Sequence, residues 1–192
     1  MMMGNLFQFT PPYVFHYRLP NHNEIKQRYL PQIKDFYKQH QSDAKYNWSA
    51  VTVSNMKTSY HIDNNVFFDA NFCDQVIYKA IDELITSHPV LSQKQVKTKI
   101  QNIWWNVYNH GDCADFHSHG LSTGISGLYV LESTENNPTT FVLTNGFYEN
   151  ELHRTDYAAE GSILLFPSSL GHYVPMVQNE RTTVSFNVRT LF

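Results

Sequence analysis

The sequence predicts a mainly β fold preceded by helices, and three observations carry that prediction. Beyond Val96 the chain becomes a series of short β-prone runs, KTKIQNIWWNVYN, GISGLYVLE, TTFVLT, SILLFPSS and TTVSFNVRTLF, separated by Gly, Asn, Pro and Ser. Before it, apolar residues recur at helical rather than alternating spacing. The aromatic fraction of 15% leans the same way, toward a β-rich architecture.

In chain order, Tyr13 to Tyr17 reads as a short strand. Asn21 to His40 reads as a helix with Ile25, Tyr29, Ile33 and Phe36 on one side, broken or kinked at Pro31. Gln41 to Asn65 is polar and without period, and is expected to be a long loop. Asn71 is placed to cap a second helix, with Val76, Ile77, Ala80, Ile81 and Leu84 as its apolar stripe and His88–Pro89 as its end. The β runs then form a compact antiparallel unit, a barrel by expectation. With no repeat or linker in between, residues 1–95 read as a helical and loop elaboration and 96–192 as the β core of one domain.

Composition narrows the function classes. Net charge is −3 and the 14 Lys and Arg are scattered, so a nucleic-acid partner is disfavoured. Cys73 and Cys113 suggest neither a disulfide framework nor a thiolate metal site. MMMGNLFQFTPPYVFHY lacks the charged and apolar regions of a secretory signal, and no segment reaches the roughly 20 apolar residues of a bilayer span. A soluble, cytoplasmic protein is the expectation.

Among ten histidines, spacing separates three. In YNHGDCADFHSHG, His117 and His119 are two residues apart, which on a strand points both imidazoles to one face. His172 follows a strand and turn in GSILLFPSSLGHYVP, and an antiparallel barrel can bring it back to the pair as a third metal ligand. The literal HxD string of His110, Gly111 and Asp112 is set aside, because Gly111 belongs to the turn before the ligand strand. Asp115 and Asp112 remain the carboxylates nearby if His119 is not a ligand. In RTTVSFNV, Arg181, Thr183 and Ser185 share one strand face, a natural carboxylate clamp of guanidinium and hydroxyl. Trp104 and Trp105 must face opposite sides of their strand.

The ordered set YxxGxxxxxHxH, SGLYVL, LLFPSSLGH and RTTVSFN resembles the iron(II) and 2-oxoglutarate dependent dioxygenase superfamily, particularly a bacterial and phage branch with an HxH first motif. The resemblance covers Asn102 to Val188. It implies a double-stranded β-helix, the cupin-like jelly roll, flanked by helices, with His117 and His172 as first and last ligands of Fe(II). It further implies that Arg181 and Thr183 bind 2-oxoglutarate, with Tyr108 and Tyr129 at positions where relatives supply a phenol. The departure is His119, where most of the superfamily has Asp or Glu; a neutral imidazole leaves the iron one unit more positive.

The function expected from this resemblance is hydroxylation of a protein or small-molecule substrate, with 2-oxoglutarate consumed to succinate and carbon dioxide. A cupin-type three-histidine dioxygenase that does not use 2-oxoglutarate is the alternative, since Gly111 and the HSH string also satisfy the opening of the cupin motif, although no acid follows between Gly120 and Gly127. A non-catalytic jelly-roll module is the third reading. The polar 41–65 loop and the 145–155 segment are the expected pocket walls, and pairing of edge strands in a homodimer is an option.

Overall fold

The computed structural model describes residues 13–47, 56–62, 67–89, 91–93, 95–120, 124–134, 138–144, 149–152 and 154–191. Among these residues ten strands form two antiparallel sheets. The larger contains β1 (Phe15–Arg18), β2 (Lys57–Thr58), β3 (Lys97–Tyr108), β5 (Ile125–Ser133), β8 (Ser162–Pro167) and β10 (Arg181–Leu191), in the order β1-β8-β5-β10-β3-β2. The smaller contains β4 (Ala114–His117), β6 (Thr140–Thr144), β7 (Glu149–Leu152) and β9 (His172–Val174), in the order β4-β9-β6-β7. Apolar clusters formed by both sheets, Leu128, Leu164 and Phe166 with Phe141, and Tyr108 with Ala114 and Val174, hold them face to face. The architecture is that of a double-stranded β-helix with N-terminal helices. Where the sequence predicts a barrel, no strand pair joins the two sheets among the described residues, and the two sheets pack as a sandwich.

Alternation along the strands gives the larger sheet two unlike faces. On β10, Val184, Phe186 and Val188 point to the helices, joined by Trp105 and Val107 of β3 and Ile163 and Leu165 of β8. Against them lie α1 (His22–His40), which buries Ile25, Tyr29 and Ile33 at four-residue spacing, and α3 (Lys79–Ser87), which buries Ala80, Ile81 and Leu84. Each fully buried side chain there, such as Ile33 or Phe186, contributes about 1.5–3 kcal/mol of hydrophobic stabilisation.

The helices differ from expectation in two details. α1 runs through Pro31 as one element. That residue lies on the exposed side, where water can satisfy the carbonyl whose helical donor the proline removes. The second helix is capped by Asp69 and not by Asn71: Asp69 Oδ1 accepts from Phe72 N at 2.9 Å and from the Tyr29 hydroxyl at 2.6 Å. These hydrogen bonds, that of Tyr29 first, hold the Asp69 carboxyl below its usual pKa. Asn71 already lies within α2 (Ala70–Phe72) and donates to the Tyr29 hydroxyl. Between α2 and α3 the helix widens to a π-helical segment, Cys73–Tyr78, and the chain leaves the helix at His88, as expected.

The N-terminal half supplies two strands to the larger sheet, β1 (Phe15–Arg18) where the sequence predicts a short strand at Tyr13 to Tyr17, and β2, which its sequence did not reveal. β1 pairs with β8, and β2, inside the predicted loop, pairs with β3 at Val107 and Asn106. Cys73 and Cys113 are not joined in a disulfide. No helix is long and apolar enough to cross a membrane among the described residues.

Candidate metal centre

Three backbone devices bring the histidines together. His117 ends β4 and pairs with His172 at the start of β9, beyond an irregularity in the ladder after Ala114. β9 also pairs with β6 on its other side, where Phe141 faces His172. His119 lies past the end of β4, and its backbone N–H donates to Ser168 O at 2.8 Å, tying it to the turn after β8. One nitrogen from each ring then lies within 4.8 Å of the others. Ring centroids are 4.3 Å apart for His117 and His172, 5.2 Å for His119 and His172, and 5.5 Å for His117 and His119.

The Nδ1 side of each ring faces an oxygen. His117 Nδ1 lies 2.6 Å from Asp115 O, His172 Nδ1 3.0 Å from Leu170 O, and His119 Nδ1 2.7 Å from Asn187 Oδ1. Carbonyl oxygens only accept, so Nδ1 carries the proton in each neutral ring and Nε2 presents the lone pair. Burial lowers the pKa of all three, that of His172 to about 3, and so keeps the rings in the form that can ligate a cation. Lone pairs gathered in one place repel until a positive charge joins them. The donor set therefore fits a first-row divalent metal, for which imidazole nitrogens at about 2.0–2.1 Å are ordinary ligands.

The cavity around the cluster is lined by Met56, Trp104, Asn106, Leu128, Phe166 and Ser185, among others. Its volume of ≈ 30 Å³ suits an ion with one or two small ligands. Trp104 faces this space while Trp105 is buried among Phe36 and Phe67 beneath the helices, the opposition predicted for adjacent strand residues.

Among the described residues, no Asp or Glu belongs to the cluster. Asp112 is buried in the turn at Gly111, whose φ of +87° suits glycine, and its Oδ2 accepts from Asn109 N at 2.8 Å. Asp115 is exposed and offers its backbone carbonyl to His117. The site is a three-histidine arrangement and lacks the two-histidine, one-carboxylate set of the 2-oxoglutarate dependent oxygenases. This overturns the expected function, hydroxylation with release of succinate and carbon dioxide, together with the Fe(II) and 2-oxoglutarate pairing behind it. The physical reason is charge: without a ligand carboxylate the metal is one unit more positive than the one that chemistry uses.

The residues assigned to 2-oxoglutarate by resemblance separate in space. Arg181 is fully buried, donates from Nη2 to Thr139 Oγ1 at 3.0 Å and stands 5.8 Å from the centre of the Tyr108 ring. Tyr108 lines the cavity, and burial pushes its phenol up to about 12. Thr183 and Ser185 both receive the Asn106 amide, at 3.4 and 3.1 Å. Tyr129 points to the other face, where its hydroxyl meets His22 Nδ1 at 2.7 Å in the helix-side core. Asp156 is exposed and pairs with Arg154; His153 and part of both predicted pocket walls lie outside the described residues.

The sequence reading missed Asn106, Thr139 and Asn187. Alternation could have found Asn187, which continues the face of Arg181, Thr183 and Ser185.

No family model matches the chain, and no curated protein matches it. Solved structures do. A prolyl-4-hydroxylase from Pseudomonas putida is 16% identical with a TM-score of 0.56, covering 92% of this chain and 92% of that one. A prolyl hydroxylase from Trichoplax adhaerens, solved with a peptide fragment of the hypoxia inducible factor oxygen degradation domain, is 14% identical with a TM-score of 0.62, covering 92% of this chain and 83% of that one. The chain spans 55% of the length of a 2OG-Fe(II) oxygenase family oxidoreductase from Burkholderia pseudomallei, at 16% identity over 65% of this chain with a TM-score of 0.46. At these identities the likeness is one of fold: the chain shares the fold of these two prolyl hydroxylases.

Proposed function

We propose that the chain is a cupin-type, three-histidine metal dioxygenase that does not use 2-oxoglutarate. The single observation behind this reading is the convergence of His117, His119 and His172, each with Nδ1 facing a carbonyl oxygen, with no carboxylate in the cluster among the described residues. A bound divalent metal of the first transition row would supply Lewis acidity and one-electron redox chemistry there.

The protein's own residues would do the rest. His117, His119 and His172 would hold the metal at the wall of the cavity that they line. Asn106 uses its amide N–H on Thr183 and Ser185, and its Oδ1 lacks a hydrogen-bond partner among the described residues, so it can accept from a donor group on the substrate. Met56, Trp104, Leu128 and Phe166 exclude water from the reacting centre and strengthen such contacts.

Metal loading tests this reading. The metal-free protein should bind one divalent ion per chain. Added anaerobically to the Fe(II)-loaded protein, 2-oxoglutarate should leave both the visible spectrum and the melting temperature unchanged. A visible charge-transfer band with 2-oxoglutarate would overturn the reading, and so would failure to bind any of Fe(II), Co(II), Ni(II), Cu(II) or Zn(II).

A further inference from the structure

The three ligand rings are not held alike. His117 and His172 each donate to a backbone carbonyl two residues before them in the chain, Asp115 O and Leu170 O. Any sequence that keeps this backbone keeps those two contacts. His119 is held by a side chain 68 residues away, Asn187 Oδ1 at 2.7 Å. That oxygen lies 2.7 Å from Ser126 Oγ as well, and Ser126 Oγ is 2.9 Å from Ser168 Oγ. Asn187, Ser126 and Ser168 are all buried. Ser168 also accepts the His119 backbone N–H through its carbonyl, so the network grips His119 at both its ring and its main chain.

Resting on the metal-centre reading, we infer that Asn187 is a positioning residue that decides whether His119 can ligate. With Oδ1 turned to the ring, His119 is protonated at Nδ1 and its Nε2 lone pair joins the other two. With the amide reversed, Asn187 would donate to Nδ1, the ring proton would move to Nε2, and an N–H would point at His117 and His172 where the metal belongs. The amide orientation is therefore coupled to the ligand count, three or two. The two serines bias it: Ser126 has one hydroxyl proton, and with that proton on Oδ1 its oxygen is left to accept from Ser168. Such outer hydrogen bonds fix ring tautomer and orientation and commonly govern metal affinity.

The tautomer can be read without metal or substrate. In the metal-free protein, long-range ¹H–¹⁵N correlation spectra should show His119 protonated at Nδ1, and Asn187→Leu should shift it toward the Nε2–H form while His117 and His172 stay as they are. Asn187→Leu should weaken Zn(II) or Co(II) binding by about 10–100-fold. Asn187→Asp, which keeps an acceptor at this position, should hold the Nδ1–H form and restore affinity to within a few-fold of the parent. It also serves if the leucine variant does not fold. An Nε2–H His119 in the parent protein, or equal metal affinity in folded Asn187→Leu, would overturn the inference and leave the three-histidine site standing. Absence of metal binding in the parent would instead remove the centre itself.

Discussion

The two faces of the larger sheet are made from the same strands and obey opposite rules. On β10, Thr182, Val184, Phe186 and Val188 alternate with Arg181, Thr183, Ser185 and Asn187, and both sets are buried. The helix-side set packs mainly against aliphatic and aromatic side chains. The site-side set joins Thr139, Asn106, Ser126 and His119 by hydrogen bonds. Burying polar groups stabilises a fold weakly at best, since each one made in the protein replaces one made with water. A whole strand face of them is better understood as the foundation of a site, with stability supplied from the other side of the same backbone.

That division can be broken by substitution. The largest effects should separate the faces cleanly. His172→Ala should lower metal affinity by at least 100-fold in a competition titration while costing the metal-free protein less stability than Phe186→Ala. Phe186→Ala should cost about 3–5 kcal/mol in urea unfolding through the cavity it leaves, and the surviving folded protein should still bind metal. Equal stability losses for the two would show that the faces are not divided in this way.

Gly127 of β5 sharpens the comparison. A Cβ there would lie 2.1 Å from the Phe186 ring, so Gly127→Ala should overpack the helix side and cost about 1–3 kcal/mol. On the site side, Ser185→Ala removes one acceptor of the Asn106 amide and should cost about 1 kcal/mol, measured the same way.

The smallest effect should be that of pH on His22, a histidine of the helix side. Burial beneath Tyr129 lowers its pKa below the ordinary 6.5, against the opposing pull of Glu160 and with smaller contributions from Lys26 and Arg18. The unfolded chain then takes up this proton more readily than the folded one. The contribution of His22 is complete above the ordinary histidine value and is lost as pH falls from there toward the depressed folded value. His22→Gln should remove this part of the acid slope of the melting temperature; an unchanged slope would show that His22 does not carry it.

Much of this plan was legible before the structure, and the reason differs from part to part. Side-chain period revealed β3, β5, β8 and β10, the opposition of Trp104 and Trp105, and the stripe of α1, because a long amphipathic segment repeats its signal. β2, β7 and β9 span two to four residues each and repeat too little to be read as strands, whereas β1 and β4, equally short, were read as strands but without their partners. Pairing of β2 with β3 depends on a partner far along the chain, information that no local window holds.

The site shows a similar split. Spacing alone pointed to His117, His119 and His172, whereas the cosubstrate came with the resemblance. Similarity of ordered fragments reports the backbone, while cosubstrate chemistry turns on the charge of a single side chain. His119 stated that charge in the sequence. The network behind it, through Asn187, was hidden because it joins two strands, a turn and the segment after β4.

The place of β10 bears on how the molecule is assembled. It sits between β5 and β3 in the larger sheet, yet comes after both in the chain. A growing or truncated polypeptide without residues 181–191 has the flanks of its sheet and no centre, leaving two unpaired edges where one interior strand should be. Pairings this distant in sequence make for slow folding and for aggregation-prone intermediates. The same strand carries the outer support of His119, so a metal-competent site is among the last features that such a chain can complete.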